Sequence, residues 1–202
     1  MRGHAGSAGA AHSISGRSAM KKIIISVLGH DRPGIIAAVS KILLEHECNI
    51  EDVSQTILQT EFAGIFIASV PERASEQSLS AALREKLEPM GLSVLLKRMW
   101  ETEVWAAPPS EPFVITTVGP DRLGLVAGVT ELLAGYGVNI TNLKALFRGG
   151  SDPTRNVMIY EVDIPLGIDQ HAFRAALQER CRELDLDVSL QHRDVFEAIH
   201  RV

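Results

Sequence analysis

The stretch Gly29-His30-Asp31-Arg32-Pro33-Gly34 lies between an apolar, β-branched run and an amphipathic segment. The run predicts a buried strand and the segment predicts a helix, so the stretch forms a sharp turn into a helix N-terminus. It recurs at an offset of 90 (119 − 29) as Gly119-Pro120-Asp121-Arg122-Leu123-Gly124, in the same setting. Because the first N–H groups of a helix have no partner within it, a helix N-terminus favours a small anion. The sequence therefore predicts two places where a carboxylate could bind.

The duplication extends well beyond the turn. Residues 29–58 and 119–148 align without a gap, and farther on the copies align at an offset of 94, for example Pro71 with Pro165. Copy two therefore holds an insertion of four residues (94 − 90), which falls in the polar stretch 148–154. A period near 90 is too long for a solenoid repeat and indicates two duplicated small domains.

Hydrophobic periodicity predicts the same element order in both copies. In copy one we expect strands at 22–28, 49–58, 61–70 and 92–100, and helices at 33–45 and 75–90. In copy two we expect strands at 113–118, 139–147, 156–164 and 186–195, and helices at 123–135 and 169–184. The order β-α-β-β-α-β predicts an α+β, ferredoxin-like fold, with an antiparallel sheet and helices on one face.

The domain boundaries follow from composition. Residues 1–19 are rich in Gly, Ala and Ser and contain no acid, which predicts a disordered extension or a cloning scar; a transit peptide would carry an apolar face that this stretch lacks. We predict a first domain at 20–104, a stiff proline-containing linker at 105–111, and a second domain at 112–202.

Composition and charge exclude several classes of function. The net charge is −5, and no segment concentrates Lys and Arg, so direct nucleic-acid binding is not expected. No apolar run approaches the ~18 residues of a membrane span. Cys48 and Cys181 occupy non-equivalent positions, which favours reduced thiols in a cytoplasmic protein. We find no catalytic constellation, no metal-ligand spacing and no cofactor motif, so we expect none of the three.

The turn has the chemistry that a free amino acid needs. A carboxylate requires oriented donors, which the helix N-termini at 32–35 and 122–125 supply together with the positive end of the helix dipole. Gly34 and Gly124 allow close backbone approach. Asn49 and Asn139, whose amides both donate and accept, are candidates for the ammonium.

Each polar candidate also has a purely structural interpretation. Asp31 and Asp121 could be helix caps. Arg32 and Arg122 could pair with surface acids, since exposed arginines commonly do. The asparagines 49 and 139 could simply close helix-to-strand turns. Copy two also has Leu123 in place of Pro33 and Pro120 in place of His30, so we do not expect the two sites to be equivalent.

A β-α-β-β-α-β unit whose first turn reads Gly-x-Asp-Arg-Pro-Gly, and whose second strand opens with Asn49-Ile50, resembles the ACT domain. That domain is the small-molecule-binding regulatory module of amino-acid metabolism. The resemblance covers about residues 20–100 and 112–198. Two such domains without an attached enzyme are most similar to the glycine cleavage system transcriptional repressor group. The family resemblance implies that a ligand binds between the first turn of one domain and the second strand of a paired domain.

Together with the residue chemistry, the resemblance implies a set of ligand-binding residues. They are Gly29, Asp31, Arg32, Gly34, Ile35, Asn49 and Ile50 in copy one, and Gly119, Asp121, Arg122, Gly124, Leu125, Asn139 and Ile140 in copy two.

The resemblance also implies the function. It indicates a non-enzymatic regulatory protein that binds a small amino acid such as glycine and modulates transcription through a protein partner such as an activator. The alternatives are an amino-acid sensor acting on a metabolic enzyme and, more weakly, a small ferredoxin-like hydrolase using Arg32 and Asn49. The chain could also form a homodimer.

Overall fold

The computed structural model describes residues 20–99, 107–147 and 156–200. The predictions for residues 1–19, for the start of the linker and for the inserted polar stretch lie outside these described residues. The chain divides into two compact units, residues 1–104 and 105–202.

The first unit is a four-stranded antiparallel sheet with two helices. Its elements are β1 (Met20–His30), α1 (Ile35–Glu45), β2 (Asn49–Leu58), β3 (Glu61–Pro71), α2 (Glu76–Leu87), a 3-10 turn (Glu88–Met90) and β4 (Leu92–Met99). The strand order is β2-β3-β1-β4. This is the predicted ferredoxin-like arrangement.

The second unit repeats that arrangement and adds a helix. Its elements are β5 (Ser110–Gly119), α3 (Leu125–Gly135), β6 (Asn139–Phe147), β7 (Asn156–Pro165), α4 (Gln170–Glu183), β8 (Asp187–His192) and α5 (Arg193–His200). The strand order is β6-β7-β5-β8. The predicted α+β class with two such domains is therefore confirmed.

Each unit has its own hydrophobic core between the sheet and its helices. In the first unit alternate residues of β1, namely Ile23, Ile25 and Val27, are buried against the apolar faces of α1 and α2. In the second unit Ile115 and Tyr160 occupy the equivalent layer. Burying one face of a sheet under two amphipathic helices is the main stabilising interaction in this architecture.

Several predicted boundaries differ from the structure, and three of them concern the site helices and the linker. Both site helices begin two residues later than predicted, at Ile35 and Leu125, because Gly34 and Gly124 occupy the N-cap position in a left-handed conformation. Pro33 therefore precedes the helix and does not lie in its first turn. Strand β5 begins at Ser110, which pairs with Pro165, so the end of the predicted linker contributes to the sheet.

Helix α5 was not predicted, because the last strand was expected to continue to residue 195. The chain instead turns after His192, and α5 lies on the outer face of its sheet, opposite α3 and α4. There Val114 is only 2% exposed, and the Arg193 guanidinium lies 3.8 Å from a carboxylate oxygen of Asp163. The outer face of the first sheet has no such cover among its described residues, and Leu95 on it is 63% exposed.

Candidate functional site

The first turn is held to the sheet by the backbone. The N–H of Asp31 donates to the carbonyl oxygen of Thr60 at 2.8 Å, which places the turn beside the β2–β3 hairpin. Gly34, with φ of 97°, then begins α1, and the first helical hydrogen bond runs from the Ala38 N–H to the Gly34 carbonyl oxygen. The N–H groups of residues 35–37 consequently have no acceptor within the helix.

The helices at the turns differ from the others in their caps. Neither α1 nor α3 has a side chain that accepts a hydrogen bond at its N-terminus. In α2 the Ser75 hydroxyl accepts from the N–H of Ser78, and in α4 the Asp169 carboxylate accepts from the N–H groups of His171 and Ala172. The helix ends at the two turns therefore keep their donors available.

The glycines of the two turns have two structural roles. Gly34 and Gly124, with φ of 97° and 90°, adopt a conformation that L-residues rarely take, and a Cβ at either position would meet no atom within 4 Å. Gly29 and Gly119 are instead needed for packing, because a Cβ there would lie 2.5 Å and 2.6 Å from the carbonyl oxygens of Gly91 and Asp185. Open space thus lies at the helix ends, while the start of each turn is tightly packed.

A cleft of about 630 Å³ opens at the first turn. It is lined by the turn and the first residues of α1, with Gln55 from β2 and Phe62 from β3. The turn motif did not predict Gln55 and Phe62 as site residues. Gln55 and Phe62 come from the far end of the β2–β3 hairpin, and their side chains reach the turn through the strand register, in which Gly29 lies opposite Phe62 and Gln55 lies opposite Gly64.

The two turn arginines have different electrostatic surroundings. Nη1 of Arg122 lies 3.1 Å from Oδ2 of Asp185, so this guanidinium forms a surface ion pair. Copy one has Gly91 at the position of Asp185 (185 − 94), and Arg32 has no ion pair or hydrogen bond with any residue in the described part of the chain. The structural interpretation thus applies to Arg122, while Arg32 remains free to bind an anion.

The aspartates of the turns are not helix caps. The N-cap residues are Gly34 and Gly124, and no side chain caps either helix. The capping interpretation of Asp31 and Asp121 is therefore wrong. The Asp31 side chain instead lines the cleft at the start of α1, and the Asp121 carboxylate accepts from the Asn156 amide.

The predicted asparagines lie far from the turn of their own domain. Asn49 and Ile50 begin β2, opposite Ser69 and Ala68, whereas the turn lies at the Leu58 end of the strand. Nine residue steps of strand (58 − 49) separate these ends by about 30 Å. Asn139 and Ile140 occupy the same place in β6. Within one domain the structure therefore brings together Gly29, Asp31, Arg32, Gly34 and Ile35, and does not bring Asn49 and Ile50 to them.

The second turn has a polar layer beneath it that the first lacks. Asn156, at the start of β7, lies opposite Gly119 and is 4% exposed. Its Nδ2 donates to Oδ1 of Asp121 at 3.5 Å. Thr117, on the inner face of the neighbouring strand β5, is fully buried. Copy one has Phe62 and Val27 at these positions (156 − 94 and 117 − 90).

The described residues contain little catalytic or metal-binding chemistry. No three His, Cys, Asp or Glu side chains of this set are close enough together to hold a metal ion. Burial raises the pKa of both thiols, to about 11 for Cys181, so neither is an activated nucleophile. Among the helices in the described ranges, none has the length and apolar composition that crossing a bilayer requires.

A family profile for the ACT domain matches residues 21–97 and, a second time, residues 111–191. The chain belongs to the ACT domain family. The resemblance inferred from the turn motifs is thereby confirmed, and the ACT domain is a regulatory rather than a catalytic module.

Curated relatives correspond to part of this chain. The UPF0237 protein of Methanopyrus kandleri is 38% identical over 79 residues, which are 39% of this chain and 88% of the relative. The UPF0237 protein of Clostridium acetobutylicum is 40% identical over 77 residues, or 38% of this chain and 86% of the relative. Each relative is therefore comparable in size to one ACT domain of this ACT protein.

Two solved structures match both domains together. A protein of unknown function from Galdieria sulphuraria has a TM-score of 0.70 at 26% identity, with 86% of this chain and 99% of that chain covered. A protein provisionally described as a glycine cleavage system transcriptional repressor has a TM-score of 0.64 at 21% identity, with coverage of 85% and 96%. At that identity the second match shows a shared fold.

Proposed function

We propose that this chain is a non-enzymatic regulatory protein that binds a small amino acid, glycine or one of similar size, at the turns of its ACT domains. In this proposal the bound amino acid controls how the protein modulates transcription through a protein partner in the cytoplasm. The observation that carries the proposal is the uncapped N-terminus of α1, which opens on the cleft beside Arg32, an arginine without an ion pair among the described residues.

The chemistry of the first turn matches both charges of a free amino acid. The N–H groups of residues 35–37, the helix dipole and the Arg32 guanidinium favour a carboxylate. The Asp31 carboxylate lines the same cleft and can accept from an ammonium. Since Phe62 closes the apolar side of the cleft, the site also suits a small or aliphatic side chain.

The regulatory part of the proposal is supported by architecture and charge. The two ACT domains match the fold of the provisionally described repressor. A net charge of −5 opposes binding to the phosphate backbone of DNA, so control of transcription would require a DNA-bound partner. A sensor acting on a metabolic enzyme would use the same ligand site, and the two roles are distinguished by the partner.

The hydrolase alternative is disfavoured by geometry. An acyl phosphate hydrolase would need an arginine and a water-positioning asparagine around one phosphate. Within the first domain Asn49 begins β2, whereas Arg32 belongs to the turn beside the β2–β3 hairpin at the opposite end of that strand.

Ligand binding is tested by a thermal-shift screen of the twenty amino acids, followed by calorimetry with those that raise the melting temperature. A ligand that binds only the native state must raise its stability. We expect a small amino acid to bind the wild-type chain, and Arg32→Ala to weaken binding at the first turn by about tenfold, since one charge-assisted hydrogen bond is lost. Arg84→Ala, which removes an exposed arginine of α2, is the matched control.

If none of the twenty amino acids binds, the proposal is contradicted.

The partner is tested with the purified chain and DNA at physiological salt. We expect no retardation of DNA by the chain alone, and a ligand-dependent complex when a DNA-bound activator is added. Specific retardation without a partner would contradict this part of the proposal.

A further inference from the structure

The internal duplication allows one site to be compared with the other, position by position. Beneath the first turn the inner face of the sheet presents Val27 and Phe62, both apolar. Beneath the second turn the equivalent positions are Thr117 and Asn156. The two turns are therefore alike in backbone and different in the chemistry below them.

The polar groups beneath the second turn are incompletely satisfied. Oδ1 of Asn156 and Oγ1 of Thr117 are buried and have no hydrogen-bond partner among the residues that the structure describes. Nδ2 of Asn156 reaches Oδ1 of Asp121 at 3.5 Å, the long limit of a hydrogen bond. Such groups cost free energy in the folded chain unless something binds them.

The Asn156 amide also contacts the second turn itself. Its contact is with Asp121, a residue of the turn itself, three positions before the N-cap Gly124 of the uncapped helix α3. The Asn156 amide carries both a donor and an acceptor, so it can exchange a hydrogen bond with a hydroxyl or an amide. Arg122 is engaged by Asp185, so the specificity of this turn must come from other groups.

We propose that the second turn binds an amino acid whose side chain carries a hydroxyl or an amide, and that Asn156 is the residue that selects it. The inference rests on the proposed function and adds a ligand class to it. The ligand carboxylate binds the N–H groups at the start of α3, and its side chain exchanges a hydrogen bond with the Asn156 amide. The first turn, which lies over Phe62, binds a small or aliphatic amino acid. The two domains therefore bind different ligands.

The test uses the full chain carrying Arg32→Ala, which weakens the first turn, with L-serine, L-asparagine and L-alanine as probes in calorimetry. We expect L-serine or L-asparagine to bind about tenfold more tightly than L-alanine, the effect of one hydrogen bond. Asn156→Leu should remove that preference and leave the affinity for L-alanine within about twofold. Asn142→Leu, which removes the same amide from the outer face of β6, should leave the preference unchanged.

A second measurement keeps the inference testable if the leucine variant folds poorly. Thr117→Val reproduces the residue of copy one, and without ligand it should melt at or above the wild-type temperature, because it removes an unsatisfied buried hydroxyl. A preference that survives Asn156→Leu, or equal affinity of the wild-type site for L-alanine and L-serine, would overturn the inference alone. Failure of every amino acid to bind would overturn the proposed function as well.

Discussion

One residue, distant from each turn in the sequence, determines whether the arginine of that turn forms an ion pair. Asp185 holds Arg122 in an ion pair, while Gly91 at the equivalent position offers Arg32 no carboxylate. Surface ion pairs contribute little stability, so the greater consequence lies in the availability of the guanidinium. We infer that duplication preserved the turn and that single substitutions around it separated the two sites.

At the residue scale, glycine at the N-cap is open to test. We expect Gly124→Val to destabilise the second domain by about 1–3 kcal/mol, because a β-branched residue is strained at φ of 90°. We also expect it to abolish binding at the second turn, since its side chain enters the open space before α3. The measurement is urea unfolding together with calorimetry.

Gly137→Val is the matched control. Gly137 lies just past the opposite end of α3, has φ of 69°, and a Cβ there would also meet no atom within 4 Å. The cost in stability should be similar, and amino-acid binding should persist. Equal loss of binding in the two variants would mean that strain, rather than an occupied site, explains the effect.

At the scale of elements, the four core helices fall into two classes. The helices that follow a turn begin with a left-handed glycine and no side-chain cap, whereas α2 and α4 begin with Ser75 and Asp169 as caps. A helix without a side-chain cap is less stable at its N-terminus. The same class occurs at the same place in both copies, which is consistent with a ligand completing those helix ends.

The capped helices give a prediction about stability and pH. The N–H groups of Ala172 and His171 lower the pKa of the Asp169 carboxyl, so its contribution is present at neutral pH and is lost as the pH falls through the lowered pKa. We expect Asp169→Ala to lower stability at pH 7, and the difference from wild type to shrink below that pKa. Ser75→Ala should cost about 1 kcal/mol at every pH, because a hydroxyl does not titrate.

Urea unfolding at pH 7 and pH 3 measures both differences. Asp169→Asn, which keeps an acceptor oxygen without the charge, should lose at pH 7 the part of the stability that wild type loses on protonation, and its stability relative to Asp169→Ala should not change with pH. A difference between wild type and Asp169→Ala that stays constant with pH would show that the carboxylate charge is not involved.

Most of the fold could be predicted because it is written in local patterns. The turn motif, the alternation in the strands and the helical spacing of Ile35, Val39 and Leu43 are visible within a few residues. Helix α5 was missed because Val195 and Phe196 continue an apolar strand pattern, and only eight residues separate the end of β8 from the end of the helix.

The site was less predictable because it depends on pairs distant in sequence. Gln55 and Phe62 reach the first turn through strand register, and the role of Arg122 depends on Asp185, 63 residues away (185 − 122). Asn156 follows the inserted stretch, so no local motif marks it. Such contacts follow from the three-dimensional pairing of strands, which a turn motif does not specify.

At the scale of the whole molecule, the chain consists of two copies of one architecture that have diverged on both faces of the sheet. The inner face differs in the polar layer beneath the second turn, and the outer face differs in the cover provided by α5. The two domains therefore differ on both faces of their sheets, although their cores are built in the same way.

The distribution of cysteine offers a way to observe the two domains separately. Each unit contains one buried thiol, Cys48 in the first and Cys181 in the second. A raised pKa keeps each thiol protonated, and burial keeps reagents out, so alkylation must await an opening of the surrounding structure. The rate at which each cysteine is alkylated therefore reports how often its own domain opens.

We expect iodoacetamide at pH 8 to modify both thiols far more slowly than a free cysteine, with site-resolved mass spectrometry following each one. An amino acid that occupies only the second turn should slow the modification of Cys181 and leave the rate at Cys48 unchanged. Rapid modification of both thiols in the folded chain would contradict this expectation. The two alkylation rates would thus show which domain a given metabolite has bound.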